Sequence, residues 1–421
     1  MTWLGRAAHR SSSVGTLEAR PAQGMAARPA RILLNPAPKI LLYSHDTFGL
    51  GNIRRTLVLA GGLREEYPRA AVLIVTGSPM IHDFRVPEGI DYIKLPCLDR
   101  VAADGYRPRS LSACGAEVAS IRSGLLQRSV LGFAPDLMIV DKRPTGVGGE
   151  LRETLRALRR HSHTTKLVLG LRDILDEPER ARASLKRARD METIARYYDE
   201  VWIYGERTLF DSVQEYAFPD RVAAKTRFCG YLKRPTQRAP AHAGPPRVLV
   251  TSGGGGDGAQ MVGAYLEGLM SLPRSVALRT TVVFGPEMPD ACRAELLSKY
   301  RSLSDVAFVE FEPDLTPRYA ECDLVVSMAG YNTVCELLSF ARRAVLVPRS
   351  EPVAEQLLRA RLLAKRGYFR MVEPRELGPD VLISAVLAAL GDPVGPPPPV
   401  DLDGLPRIRA RARALIQGAT P

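Results

Sequence analysis

Five short stretches of this sequence carry residues that could do chemistry, and each follows or contains an apolar run. In "SHDTFGLGNIRR" (residues 44–55), His45 and Asp46 stand just past the end of a run reading "KILLYS". A histidine there could act as general base on a hydroxyl, with a carboxylate supporting its imidazolium form. A loop-ordering histidine and an aspartate that caps the next helix fit the same residues. Gly49 and Gly51 read as turn glycines. In "MIVDKRPTGVGGE" (residues 138–150), Asp141 ends another run, flanked by Lys142 and Arg143 and followed by pliable glycines, and is a second candidate base. "LRDILDEPE" (residues 171–179) offers Asp173 in the same way.

The fourth stretch is "TSGGGGDG" (residues 251–258), between a strand-like run and a helix-like one. Glycines let backbone approach a ligand closely, and the free amides of a helix start favour phosphate. Gly253, Gly255 and Gly258 also satisfy G-x-G-x-x-G, yet the next strand, "TTVVFG", ends without the acid that a dinucleotide site requires. Phosphate binding is therefore expected here and NAD is not. Farther on, "SMAGYNTVCELLSFARRAVLVP" (residues 327–348) places one carboxylate, Glu336, in an otherwise apolar helix. The T-x-x-E spacing of Thr333 and Glu336 suits a capping box, which explains the acid without any ligand.

The elements that must position these residues alternate along the chain. Apolar runs "KILLYS", "AAVLIVTG", "DYIKLP", "DLMIVD", "KLVLGL" and "EVWIYG" are separated in several places by helical patterns, and a second set begins with "RVLVTS" and ends with "YFRMV". Continuous apolar strands joined by helices indicate parallel sheets covered on both faces, and such sheets bind ligands at the carboxyl ends of their strands. The boundaries expected are a basic extension over 1–38, a first domain over 39–231, a Pro/Gly-rich linker over 232–246, a second domain over 247–394, and a proline-rich segment with a last helix over 395–421. In that helix Leu405, Ile408, Ala412 and Leu415 make an apolar stripe, with Arg407, Arg409, Arg411 and Arg413 largely outside it. A docked helix with a solvated basic face is favoured over a lipid-binding one.

A chain of 421 residues, 45% hydrophobic, can bury two cores. The net charge of +12 is partly local, because residues 1–39 hold six basic side chains against Glu18 alone. That leader has the composition of a transit peptide, and equally of a disordered extension or an upstream start before Met25. Cys97, Cys114, Cys229, Cys292, Cys322 and Cys335 include no C-x-x-C pair, which argues against a disulfide framework or zinc site and suits a reducing cytosol. His161 and His163 lack a third ligand in sequence, so no metal site is expected. No apolar run approaches the roughly 20 residues that span a bilayer. No nucleic-acid motif is present, so nucleic acid is not an expected partner.

The order of these motifs resembles the glycosyltransferase family 28 C-terminal domain. The matching features are the glycine loop, "FEPDL" (residues 311–315), "CDLVVSMAGYNTVCELL" (residues 322–338), "AVLVP" and "EQLLRARLLAKRG" (residues 355–367), nearly the whole second domain. The full chain resembles bacterial glycosyltransferases of this type. The resemblance implies a GT-B fold, two Rossmann-like doubly wound α/β domains facing a cleft, with the nucleotide-sugar donor on the C-terminal side. It places Glu336 on the acid that grips the ribose hydroxyls, and Glu355 and Gln356 on the segment reaching the donor sugar. Ser252, Gly253 and Gly254 fall near the diphosphate, Ser327, Ala329, Gly330 and Thr333 face the nucleotide, and the backbone near Glu312 holds the base. One departure matters: where many GT-B enzymes carry a histidine after the glycine of the first loop, this chain has Gly51 followed by Asn52. Asparagine cannot be a general base, so either His45 or Asp141 takes that work or the protein is catalytically altered.

The resulting expectation is an inverting, metal-independent transferase, without a cofactor, that moves a hexose-type sugar from a nucleoside-diphosphate sugar to a hydroxyl acceptor. Uridine is the base the resemblance favours. The acceptor could be lipid-linked, a polysaccharide or a small molecule, and the expected place is cytoplasmic, with peripheral contact at the inner face of the membrane as an option. Two alternatives stand beside it: a GT-B-fold nucleotide-sugar 2-epimerase, and a non-catalytic nucleotide-sugar-binding accessory protein.

Overall fold

The computed structural model of the chain describes residues 37–45, 50–101, 105–161, 164–236, 242–393 and 398–418. Asp46, Gly49, His163 and nearly all of the basic extension lie outside them.

The first sheet is built from β1 (Lys39–Ser44), β2 (Ala71–Thr76) and β3 (Ile90–Lys94), then, after a small antiparallel hairpin of β4 (Leu98–Arg100) and β5 (Tyr106–Pro108), from β6 (Leu137–Asp141), β7 (Lys166–Arg172), β8 (Glu200–Tyr204) and β9 (Thr226–Phe228). Its order is β3-β2-β1-β6-β7-β8-β9, and every pairing is parallel. The second sheet comprises β10 (Arg247–Thr251), β11 (Arg279–Val283), β12 (Val306–Val309), β13 (Leu324–Ser327), β14 (Arg343–Leu346) and β15 (Arg370–Met371). Its order is β12-β11-β10-β13-β14-β15, again wholly parallel. Parallel neighbours need crossover helices, which cover both faces and make the strands apolar throughout. In β1, for example, Ile40 and Leu42 point into one core while Leu41 and Tyr43 point into the other.

Strand order reverses between β1 and β6 in the first sheet and between β10 and β13 in the second. At such a reversal the flanking helices leave on opposite faces, and a crevice opens beyond the carboxyl ends. The loops after β1, β6, β10 and β13 are those that carry His45, Asp141, the glycine run and the segment leading to Glu336.

The last helix, Gly404–Gln417, returns to the first domain. Ile408 and Ala412 are buried there, and Leu405 sits against Gly62 of the helix Gly51–Glu66, where an added Cβ would come within 2.9 Å of it. Its arginines are paired: Arg409 with Glu65, Arg413 with Glu66, Arg411 with Glu200 and Arg407 with Asp401. The basic face is thus largely matched by acids of this same chain. No helix among the described residues is long and apolar enough to cross a membrane.

Candidate functional site

The two switch points face each other across a cavity of about 840 Å³. From the first domain it is lined by Leu50–Asn52, Arg54, Arg55, Lys142, Arg143, Arg172 and the segment from Leu175 into the helix Pro178–Arg187; from the second, by Ser252–Asp257, Gly330–Thr333, Arg349, Glu355 and Gln356. A second cavity of about 570 Å³ lies at the amino ends of β10–β12, away from these loops.

The glycine loop is shaped by constraints that only glycine meets. Gly253 and Gly255 have φ of +67° and +97°, the left-handed region that costs an L residue about 1–2 kcal/mol. A Cβ on Gly255 would stand 2.6 Å from the carbonyl oxygen of Phe284, and one on Gly258 only 2.0 Å from the Ser252 Cβ. Ser252 donates its hydroxyl hydrogen to Phe284 O, and Glu287 N donates to Gly254 O at 2.7 Å, so the loop is tied to the turn after β11. Around Gly253, by contrast, a Cβ would meet nothing within 4 Å. The loop therefore offers open backbone just before the helix Ala259–Met270, the setting that binds phosphate oxygens.

The helix Tyr331–Phe340 begins at the end of β13 with Gly330 as its N-cap and no side-chain cap. Thr333 is already inside the helix, so the capping-box explanation of Glu336 fails: the acid lies too deep in the helix to answer its first amides. Glu336 is 2% exposed, and its Oε1 is held by the guanidinium of Arg54 from the opposite domain. Its Oε2 is buried too, and the Tyr319 hydroxyl stands against the same carboxylate.

Further pairs join the domains. Arg359 donates two hydrogen bonds to Asp173, at 2.7 and 2.9 Å, and a third to Ala329 O at 2.9 Å. Tyr231 donates to the same carboxylate at 2.9 Å, while Tyr331 stacks on Tyr231 at 6.0 Å between rings. Asn332 donates to Gly51 O at 2.9 Å, and Ala354 N donates to Asp176 at 2.9 Å. Glu355 draws Arg172 at 3.4 Å and Arg349 at 3.2 Å, and Arg349 also reaches Asp257 of the glycine loop at 2.9 Å. Burial opposes ionisation of Glu355, but Arg172, Arg349, Arg359 and Lys142 outweigh it and hold the carboxyl below its ordinary value. One Glu355 oxygen is buried and has no hydrogen-bond partner among the described residues.

Of the residues singled out in the sequence, Gly51, Asn52, Ser252, Gly253, Gly254, Gly330, Thr333, Glu355 and Gln356 line the cavity. Others do not. His45 is 1% exposed at the end of β1, beneath Asn52, whose side-chain amide donates to the His45 carbonyl. Asp141 is buried, and its Oδ1 accepts from Arg55 Nε at 3.0 Å and Nη2 at 2.5 Å. Asp173 is committed to Arg359 and Tyr231. Both carboxylates are buried and held by guanidinium groups, so Asp141 and Asp173 act here as anchors and not as cleft-facing bases. Ser327 and Ala329 are buried at the strand end, and the Glu312 side chain turns to Arg318 at 3.0 Å, outside the cavity lining. Sequence reasoning passed over Asp176, three residues beyond Asp173. It lines the cavity, and its Oδ1 is fixed by the amides of Glu177 and Ala354. It also passed over Arg54, Arg172 and Arg349; arginines at helix starts and strand ends carry no local signature of their partners.

Residues 248–393 match the model of the glycosyltransferase family 28 C-terminal domain. The match runs through nearly the whole second domain. A curated relative, the UDP-N-acetylglucosamine--N-acetylmuramyl-(pentapeptide) pyrophosphoryl-undecaprenol N-acetylglucosamine transferase of Phenylobacterium zucineum, is 30% identical over 185 residues, 42% of this chain and 50% of that protein. The chain thus spans about half the length of that relative. Among solved structures, a putative UDP-N-acetylglucosamine 2-epimerase from Listeria monocytogenes superposes with a TM-score of 0.58 at 14% identity, covering 91% of this chain and 97% of that one. MurG of Acinetobacter baumannii gives 0.51 at 18% identity, covering 91% and 96%. At such identities these two establish the fold alone, GT-B.

Proposed function

We propose that the protein is an inverting, metal-independent glycosyltransferase that uses a nucleoside-diphosphate sugar, with UDP as the nucleotide. The observation that carries this reading is the pairing, across one cavity, of an open glycine loop before a helix with the helix start at Gly330–Thr333. Both donor-side elements present backbone amides, and Arg172 and Arg349 flank them, so a leaving diphosphate would meet positive charge without a divalent ion. The partnerless oxygen of Glu355 suits a sugar hydroxyl donor, with Gln356 beside it. Leu50, Leu175 and Leu185 on the other wall, together with Arg180, suit an acceptor with both apolar and anionic parts.

In the reaction, the acceptor oxygen forms a bond to the anomeric carbon as the bond from that carbon to the β-phosphate oxygen breaks. The bonding pair leaves with the nucleoside diphosphate, and the acceptor proton passes to Asp176, whose carboxylate faces the cavity from the first domain. Held geometry and charge stabilisation supply most of the acceleration.

The test begins with thermal shift against a panel of nucleotide sugars, where a ligand at 100 times its Kd stabilises by about 2.7 kcal/mol. The donor that binds is then incubated with acceptor pools, with EDTA present, and the anomeric configuration of the product is read by NMR. Transfer with inversion that Asp176→Asn reduces at least a hundredfold supports the reading. An epimerised donor formed without acceptor, or binding with no turnover on any acceptor, overturns it.

A further inference from the structure

The helix Gly115–Phe133 packs on the first domain through a narrow stripe. Val118, Arg122, Leu126 and Val130, four apart along it, are its buried residues, and Arg122 donates to Glu150 at 2.6 and 2.7 Å. The opposite side faces solvent and is made mostly of small and apolar residues. On it Ile121 is 43% exposed and Leu125, one turn on, 41%. Of the seven large apolar side chains that stand exposed among the described residues, four, Val101, Leu111, Ile121 and Leu125, fall between residues 101 and 125. Such residues scattered singly need no explanation, but a concentration of them marks a surface that something covers.

Gly124 stands at the middle of this helix, on the exposed side, and Gly132 near its end. A Cβ at either place would meet nothing within 4 Å. Glycine weakens a helix interior relative to alanine, so no contact inside this chain calls for it there, whereas the close approach of a second backbone does. The charges identify that backbone. Glu117 precedes Ile121 by one turn, Arg128 follows Leu125 by three residues, and neither has an ion-pair partner among the described residues. The face is therefore complementary to itself. When two copies of the helix lie antiparallel about a two-fold axis beside Gly124, Ile121 of each copy meets Leu125 of the other. Glu117 of each then comes to Arg128 of the other, the reciprocal pairing that an isologous contact requires. An anionic lipid surface would attract Arg128 but repel Glu117.

We infer that the outer face of the helix Gly115–Phe133 is the seam of a symmetric dimer, and that its occupant is a second copy of this chain packed antiparallel across Gly124. Ile121 and Leu125 form the dry centre of the seam, and the Glu117–Arg128 pairs close both ends and fix the register. One helix face is smaller than the roughly 800 Å² per partner of a standard interface, so the dimer dissociates on dilution. No residue of this helix lines the cavity between the domains, so the inference stands apart from the nucleotide-sugar reading.

The test is sedimentation velocity on the full chain at about 1–100 µM, a range that brackets micromolar dissociation constants. It compares the protein with Ile121→Asp, Glu117→Arg, Arg128→Glu and the double variant Glu117→Arg/Arg128→Glu. The protein itself should pass from monomer to dimer across that range. Each single variant should raise the dissociation constant about tenfold or more, because a reversal sets like charges opposite each other and an aspartate wets the centre. The double variant should return to within about threefold of the protein itself, since the pair is restored with its signs exchanged. A folding defect gives no such rescue, and all four variants should melt as the protein does when dilute, their side chains being exposed. A protein that stays monomeric at every concentration overturns the inference. So does a dimer that none of the variants weakens, or a monomer that binds anionic phospholipid vesicles and loses them in Ile121→Asp.

Discussion

Arg54 of the first domain grips Glu336 of the second, burying the one carboxylate of an otherwise apolar helix under a guanidinium from across the cleft. On the nucleotide-sugar reading Glu336 receives the ribose, so Arg54 occupies that place here and must yield to the donor. Glu336→Ala should then weaken nucleoside diphosphate binding at least tenfold, while Arg54→Ala leaves affinity unchanged or improves it. Calorimetry on both variants decides the matter. Equal affinities in both, with a larger radius of gyration in solution scattering, would reduce the pair to an interdomain latch.

The Asp173–Arg359 pair is fully buried and joins the domains, so its loss should be felt in stability before activity. Asp173→Asn leaves the Arg359 charge without its counterion, and removing one partner of a buried pair costs about 3–5 kcal/mol. Urea unfolding measures this loss directly. A decrease under about 1 kcal/mol would mean that solvent reaches Arg359 despite its burial.

Stability should depend on pH through Glu355. Its pKa in the folded protein is below the ordinary 4.5, so the folded state holds the proton less readily than the unfolded chain. The contribution is therefore complete above that value and is lost as pH falls through the lowered one. Melting temperatures of the protein and of Glu355→Gln, followed from neutral pH into the acid range, should converge as pH falls through the lowered carboxyl value. A constant difference across that range would show that Glu355 does not titrate as described.

The glycine loop separates strain from collision. Gly253→Ala places a Cβ in open space at φ of +67° and should cost about 1 kcal/mol. Gly255→Ala adds a Cβ 2.6 Å from Phe284 O and should cost about 2–3 kcal/mol, because a backbone atom cannot swing aside. Chemical denaturation of the two variants ranks them. The reverse order would mean that the turn at Phe284–Gly285 is looser than its geometry shows.

The strands of both sheets were readable because burial on two faces demands continuous apolar runs, and the turns because Gly-rich breaks are local. The hairpin Leu98–Pro108 and strand β9 were not, since each is three residues of mixed polarity per strand whose pairing is set by neighbours. The glycine loop announced itself for the same local reason: positive φ and close backbone contact leave no other residue type. The acids were a different matter. His45, Asp141 and Asp173 all stand at strand ends and looked alike in sequence, yet the fold buries all three and commits the two aspartates to guanidinium partners.

What the sequence determined by itself is whatever depends on near neighbours along the chain: strand and helix periodicity and the glycine-only turns of the loop after β10. What only tertiary structure decided is which carboxylates remain available. Asp141 is neutralised by Arg55, 86 residues away, Asp173 by Arg359, 186 residues away, and Glu336 by Arg54, 282 residues away. An ion pair acts through space and falls off within a few ångströms, and sequence spacing does not record which distant guanidinium the fold brings within that range.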